Sequence, residues 1–214
     1  MQYFVFVVGV FLLGTGCLLS SKAPVVKSDS SQPLETLTQR PAQESLGDIA
    51  NGKWVTSQLA VGGQPSQADV QLLRDAGVEL VINLRRPSEM SFDERAYLTE
   101  MGIRYAEFPI GGVSDFYQEI PAQPELGLPA GSVLEQIDAL LKAFLVDDHA
   151  SAEPLRVLVH CASGNRVGAV FALMAYELDQ MSIDAALEQG RAHGLTGLYG
   201  PVREVLMRQE KTLE

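Results

Sequence analysis

The stretch VLVHCASGNRVGAVFAL, residues 157–173, joins a β-branched apolar run to an apolar helix-like run through one of the chain's two cysteines. Four residues, Ala162, Ser163, Gly164 and Asn165, separate Cys161 from Arg166. A cysteine between a strand end and a helix N-terminus sits in the positive field of unpaired amides and the helix dipole, which favours the nucleophilic thiolate. Gly164 permits the backbone conformation that turns successive N–H groups toward one centre and forms an anion-binding nest. Arg166 adds a planar fork able to grip two oxygens of a phosphate or sulfate. Together these residues describe a nucleophile inside an oxyanion cradle, with the amides of residues 162–165 as its wall.

The cradle needs a scaffold, and the flanking sequence supplies one. Gln58–Gly63 reads as a strand ending in a Gly turn, and Ser66 with Asp69 forms a helix-starting capping box closed by Gly77. Val78–Leu84, VELVINL, is a β-branched-rich, largely apolar run suited to a strand covered on both faces. Ser91, Asp93 and Glu94 start a second helix that ends near Gly102, and a strand follows from Ile103 to Ile110. The Gly- and Pro-rich passage from Gly111 to Gly131 reads as loop. Val133, Ile137, Leu140, Leu141, Phe144 and Leu145 mark one helical face, Leu155–His160 is the next buried strand, and the helix after the cradle is apolar nearly all round. Two more helices, near Ile183–His193 and Pro201–Lys211, complete the pattern. Strands alternating with helices imply an α/β single domain, a three-layer αβα arrangement around a central, mostly parallel sheet. The turn at Cys161 then falls at the carboxyl end of a central strand, where open α/β sheets place their ligands.

On these residues the chain resembles the cysteine-dependent phosphatases of the tyrosine and dual-specificity type, whose signature is His-Cys, then Gly, then Arg. More closely it is similar to the bacterial phosphatase-like domain named after the beta-lactamase hydrolase-like proteins, through GGQPS, GVELVINLRRPSE, GIRYAEFPI and HCASGNRVGA, between Lys53 and about Arg208. The resemblance implies a phosphatase-like fold in which Cys161 attacks phosphorus to give a thiophosphate intermediate. It implies that Arg166 and the loop amides bind the phosphoryl oxygens and that His160 orients and tunes the loop. A carboxylic acid on a mobile loop would protonate the leaving oxygen, and neither metal nor cofactor is required. Asp115, in the Gly-rich loop after a strand, stands where the acid loop falls, with Glu119 as substitute. Arg85, at the end of the VINL strand, could reach the same rim and touch substrate.

Two features depart from the tyrosine-phosphatase pattern. The Cys-to-Arg spacing is one residue shorter, as in the beta-lactamase hydrolase-like group, and Val167 stands where a hydroxyl residue assists departure of the thiolate. The short loop also resembles that of rhodanese-type sulfurtransferases, which would carry a persulfide on Cys161. A module that binds a phosphorylated ligand without turning it over is a third reading. The partner in the first reading is a phosphorylated protein or a small phosphate ester.

A formal net charge of −11 and the lack of any basic cluster argue against nucleic acid as a partner. Three scattered histidines have no metal-ligand spacing. The apolar run Phe4–Leu13, followed by Gly14, Thr15, Gly16 and Cys17, has the length of a signal-peptide core and is shorter than the roughly 20 apolar residues of a spanning helix. It resembles a bacterial lipoprotein signal with Cys17 as the lipidated residue; a cleaved signal and an uncleaved anchor are the alternatives. Residues 21–50 have the Ser, Gln, Pro and Thr composition of a flexible linker. The expected organisation is therefore an export signal over 1–20, a linker over 21–50 and a phosphatase-like domain over 51–214, periplasmic and tethered to the membrane through its N-terminus.

Overall fold

The structure is a computed structural model that describes residues 46–145 and 155–213. Cys17, the expected export signal and most of the expected linker lie outside the described residues. Among the described residues no helix is long and apolar enough to cross a membrane.

The elements run β1 (Lys53–Trp54), β2 (Leu59–Gly62), α1 (Gln67–Asp75), β3 (Val78–Asn83), α2 (Glu94–Glu100) and β4 (Arg104–Glu107). They continue with β5 (Glu119–Ile120), β6 (Gly131–Ser132), α3 (Val133–Leu145), β7 (Arg156–His160), α4 (Asn165–Glu177), α5 (Ile183–Ala192) and α6 (Tyr199–Leu213). The central sheet has the order β1-β2-β7-β3-β4. Only the short edge strand β1 is antiparallel to its neighbour; β2, β7, β3 and β4 are parallel.

Successive side chains of a strand point to opposite faces, and the core divides accordingly. Leu59, Val61, Leu80, Ile82, Val157 and Val159 join the cluster built with α3, α4, α5 and α6. Their neighbours Ala60, Val81 and Leu158 join a second cluster with Val70 and Leu73 of α1 and Leu98 of α2. The sheet is thus covered on both faces, which is why its central strands β2, β7 and β3 are largely apolar.

The local signals act where the sequence places them. Ser66 accepts from the Asp69 amide while Asp69 reaches back to the Ser66 amide, closing the capping box of α1. Asp93 caps α2 through the Ala96 amide.

Two regions differ from expectation. Leu46 and Ile49, which composition assigns to the linker, are buried against the second cluster. The passage 111–131 contains two 3-10 turns, Val113–Tyr117 and Pro124–Leu126, and the small β5-β6 sheet. Buried Gln136 of α3 organises it by donating to the Pro129 and Pro121 carbonyls at 2.7 and 2.9 Å and accepting from Gln123 at 2.8 Å. Long-range pairing of this kind leaves no periodic trace in the passage itself.

Candidate active site

The sheet register aligns three strand ends. His160 lies opposite Gly62 of β2 on one side and Asn83 of β3 on the other. The chain then leaves the sheet as Cys161–Gly164 and enters α4 at Asn165, with Gly164 as N-cap in the left-handed region at φ 86. That conformation is cheap for Gly and costly for other L residues, and it turns the Gly164 amide onto the Cys161 sulfur, N to Sγ 3.1 Å. The sulfur sits on the floor of the loop, with Cys161 only 1% exposed. The first-turn amides of α4 have no intrahelical acceptor, so they add donors and positive potential beside it.

Arg166 is clamped. Nη1 donates to the Leu84 carbonyl at 3.0 Å, the Ile110 carbonyl at 2.7 Å and Glu89 Oε2 at 2.8 Å, and Nη2 donates to Glu89 Oε1 at 2.7 Å. The two-pronged pair holds the Glu89 carboxyl down at about 2 and raises Arg166 further above its usual value, the latter assisted by the nearby Cys161 sulfur. The guanidinium is therefore a fixed cation beside the sulfur, oriented by three separate chain segments.

Behind the loop runs a second polar chain. His160 is fully buried; Nδ1 faces the Cys161 carbonyl at 3.4 Å and Nε2 faces Glu94 Oε2 at 3.2 Å. The latter is an ion-pair contact in distance, although neither atom has an aligned hydrogen bond. Gln64 donates to Glu94 Oε1 at 2.6 Å and accepts from Arg85 Nη1 at 2.7 Å, and Arg85 Nη2 donates to the Glu89 carbonyl. This belt links the two carboxylates, one behind His160 and one on Arg166.

The structure brings Cys161, Arg166, His160 and residues 162–165 together. His160, expected to orient and tune the loop, is buried and faces the Cys161 carbonyl and Glu94. Arg85, expected at the substrate, turns instead to Gln64 and the Glu89 carbonyl. The side chain of Asn165 accepts from the Thr196 and Leu198 amides at 2.9 and 3.2 Å, which stitches the α5–α6 turn to the loop and leaves its own amide for the cradle. Asp115, within the 3-10 turn Val113–Tyr117, accepts from the Gly111 and Gly112 amides at 2.6 and 3.1 Å and so caps the start of its own turn. Its loop nonetheless docks on the site, because the Ile110 carbonyl just before it holds Arg166. Glu119 is exposed at the start of β5.

Sequence reasoning missed Glu89, Glu94 and Asn51, whose side chain donates to the Ser163 carbonyl at 2.9 Å. Each pairs with a residue far along the chain, so no local spacing announces it. The one available signal was the single carboxylate of the RRPSE turn, Glu89, which follows two Arg residues at a strand end.

Comparison with solved structures gives the architecture a context. Tk-PTP in its active form superposes with a TM-score of 0.51 at 15% identity, covering 74% of this chain and 94% of that one. PTPMT1, solved in complex with PI(5)P, superposes with a TM-score of 0.50 at 15% identity, covering 75% of this chain and 97% of that one. The fold is that of the cysteine-dependent phosphatases. A DUF442 protein of Shewanella putrefaciens CN-32 aligns over 77% of this chain and 95% of its own at 19% identity, with a TM-score of 0.49. No family model and no curated protein matches the sequence. In open α/β sheets ligands bind beyond the carboxyl ends of the strands, and Cys161 directly follows the carboxyl end of β7.

Proposed function

We propose that this chain is a cysteine-dependent phosphatase acting on phosphate monoesters. One observation carries the reading: the Cys161 sulfur receives the Gly164 amide at 3.1 Å beside a guanidinium locked in place by Glu89. A thiolate in a ring of donors is built to meet a tetrahedral oxyanion. In the first step Sγ attacks phosphorus, the ester P–O bond breaks, and the departing oxygen takes a proton. In the second, water attacks phosphorus, the P–S bond breaks, and Cys161 regains its thiolate while inorganic phosphate leaves. Arg166 and the amides of residues 162–165 hold the equatorial oxygens through both steps. Asp115 donates the proton once its carboxyl leaves the Gly111 and Gly112 amides, a movement of the loop that Ile110 docks against Arg166. With Val167 in place of a hydroxyl residue, the second step is the slow one.

The substrate class is a phosphorylated protein or a small phosphate ester. The apolar run Phe4–Leu13 ahead of Cys17 supports reading the chain as exported and tethered at its N-terminus in the periplasm. Labelling of cells with a radioactive fatty acid tests this: label lost in Cys17→Ala marks a lipoprotein, and an unlabelled chain marks a cleaved signal or an uncleaved anchor.

The activity test pairs the purified protein with Cys161→Ser. Both are assayed for phosphate release from an aryl phosphate and for thiocyanate formation from thiosulfate and cyanide. Phosphate release that vanishes in the variant is the expected outcome. Thiocyanate without phosphate would make the protein a sulfurtransferase, and silence in both assays would leave a binding module.

A further inference from the structure

We infer that Asn51 is a positioning residue of the cradle, and that the segment Leu46–Asn51, just ahead of β1, is a strap that holds the phosphate-binding loop open. This rests on reading the loop as an oxyanion site.

A loop presents its amides inward when its carbonyls are held outward by donors from elsewhere, because each such bond fixes the orientation of one peptide unit. The partners of five consecutive carbonyls are on hand. The His160 carbonyl accepts from the Leu84 amide at 2.9 Å, the Ala162 carbonyl from the Gln64 amide at 3.4 Å and the Gly164 carbonyl from the Gly168 amide at 3.0 Å. The Cys161 carbonyl faces His160 Nδ1 at 3.4 Å. The Ser163 carbonyl accepts from Asn51 Nδ2 at 2.9 Å. Three of these donors are backbone and one is the histidine adjoining the nucleophile. Asn51 is the remaining one, and it fixes the peptide whose N–H belongs to Gly164, the amide on Sγ. Removing it frees the Ser163–Gly164 peptide to rotate and carries the Gly164 donor off the sulfur.

Asn51 is itself held from several sides. It sits in the left-handed region at φ 56, which Asn tolerates better than most residues. The Gly52 amide bonds the Ile49 carbonyl at 2.9 Å and the Gly63 amide bonds the Ala50 carbonyl at 2.8 Å, so the strap is tied to the end of β2. Asp48 donates its amide to Asp69 in the first turn of α1 at 3.1 Å, and Leu46 and Ile49 are buried. A Cβ on Gly62 would lie 2.8 Å from Ile49 Cγ2, and one on Gly63 would lie 2.8 Å from the Ala162 carbonyl oxygen, which shows how closely strap, strand end and loop are layered. The chain that enters the domain thus passes over its active loop before it reaches the sheet.

The experiment uses the full chain with Asn51→Gly, which keeps the left-handed backbone and deletes the donor, and Asn51→Asp, which keeps the shape and sets a carboxylate oxygen against the Ser163 carbonyl. Three quantities are read: tungstate affinity by calorimetry, kcat and KM for an aryl phosphate, and the melting temperature. The expected result is a loss of tungstate affinity of about five- to tenfold in Asn51→Gly and more in Asn51→Asp. KM should rise in step, with the melting temperature of Asn51→Gly within a few degrees of wild type. A lowered melting temperature with unchanged tungstate affinity and KM would make Asn51 merely structural and overturn the inference. Unchanged values throughout would overturn it too. A wild-type protein that binds no tungstate and hydrolyses no phosphate ester would remove the cradle itself, a failure distinct from that of Asn51.

Discussion

Arg166 and Glu89 form a two-pronged ion pair, Nη1 to Oε2 at 2.8 Å and Nη2 to Oε1 at 2.7 Å, that fixes the guanidinium beside the Cys161 sulfur. The pair is mostly screened from water, with side chains 14% and 23% exposed. Glu89→Gln keeps the volume and loses the charge, so Arg166 should lose its orientation while remaining charged. The expected outcome is a fall in kcat/KM of on the order of 100-fold, the scale of a 1 Å misplacement of a catalytic group. Steady-state kinetics on an aryl phosphate measures it.

The same pair has a signature in stability. The folded carboxyl is held at about 2 against an ordinary 4.5. Its contribution is therefore fully present above about pH 4.5 and is lost as pH falls toward 2. Wild type should lose about 2 kcal/mol more than Glu89→Gln across that window. Urea unfolding at pH 5, 4 and 3 gives the comparison, and parallel curves for the two proteins would contradict it.

Asp115 is a cap in the structure and the general acid in the proposed mechanism, and Asp115→Asn separates the two. An Asn oxygen still accepts from the Gly111 and Gly112 amides, so the melting temperature should hold. An amide cannot supply the proton, so kcat should fall by on the order of 100-fold or more for an alkyl phosphate, whose leaving oxygen needs it. For an activated aryl phosphate the fall should be small. Equal losses on both substrates would assign Asp115 to the loop's architecture alone.

His193 stacks on Phe171, ring centroids 4.0 Å apart, and its Nδ1 faces the Gln189 carbonyl at 2.7 Å. Burial pushes it down to about 4 from an ordinary 6.5. The neutral ring is thus favoured by folding: its contribution is present above about pH 6.5 and drains away as pH falls toward 4. The loss should reach about 2 kcal/mol, and His193→Phe should flatten the stability profile between pH 6.5 and 4. Chemical denaturation across that range checks it.

Gly168 is fixed by space. A Cβ there would lie 2.0 Å from the Leu195 amide nitrogen and 2.5 Å from its Cα, both backbone atoms of the turn that Asn165 also holds. Gly168→Ala should cost about 3 kcal/mol or more, since backbone cannot step aside as a flexible side chain does. The denaturation midpoint reports the cost.

Much of the scaffold is legible in the sequence because the signals that build it are local. Ser66 and Asp69 lie within one helical turn, the β-branched run of β3 announces its own burial, and the Cys161–Arg166 turn carries its chemistry in consecutive residues. The rest of the site is assembled across the sheet. Glu89 meets Arg166 and Glu94 meets His160 only because β3 and β7 are neighbours in register, and Asn51 reaches Ser163 only because the incoming chain doubles back beside the end of β2. Residue type and spacing cannot encode such encounters; topology does. Composition likewise assigns Leu46 and Ile49 to a linker, since two apolar residues in a polar stretch give no periodicity, yet the groove between α1 and the sheet takes both.

The central claim is a phosphoryl group carried by Cys161. The direct measurement mixes the protein with an aryl phosphate, quenches in acid within the first turnover, and determines by peptide mass where phosphate resides. One phosphoryl group is expected on the peptide containing Cys161, absent from Cys161→Ser and longer-lived because Val167 slows its hydrolysis. Turnover of the ester with an unmodified Cys161 peptide, or a persulfide there after exposure to thiosulfate and no phosphorylation, would contradict it.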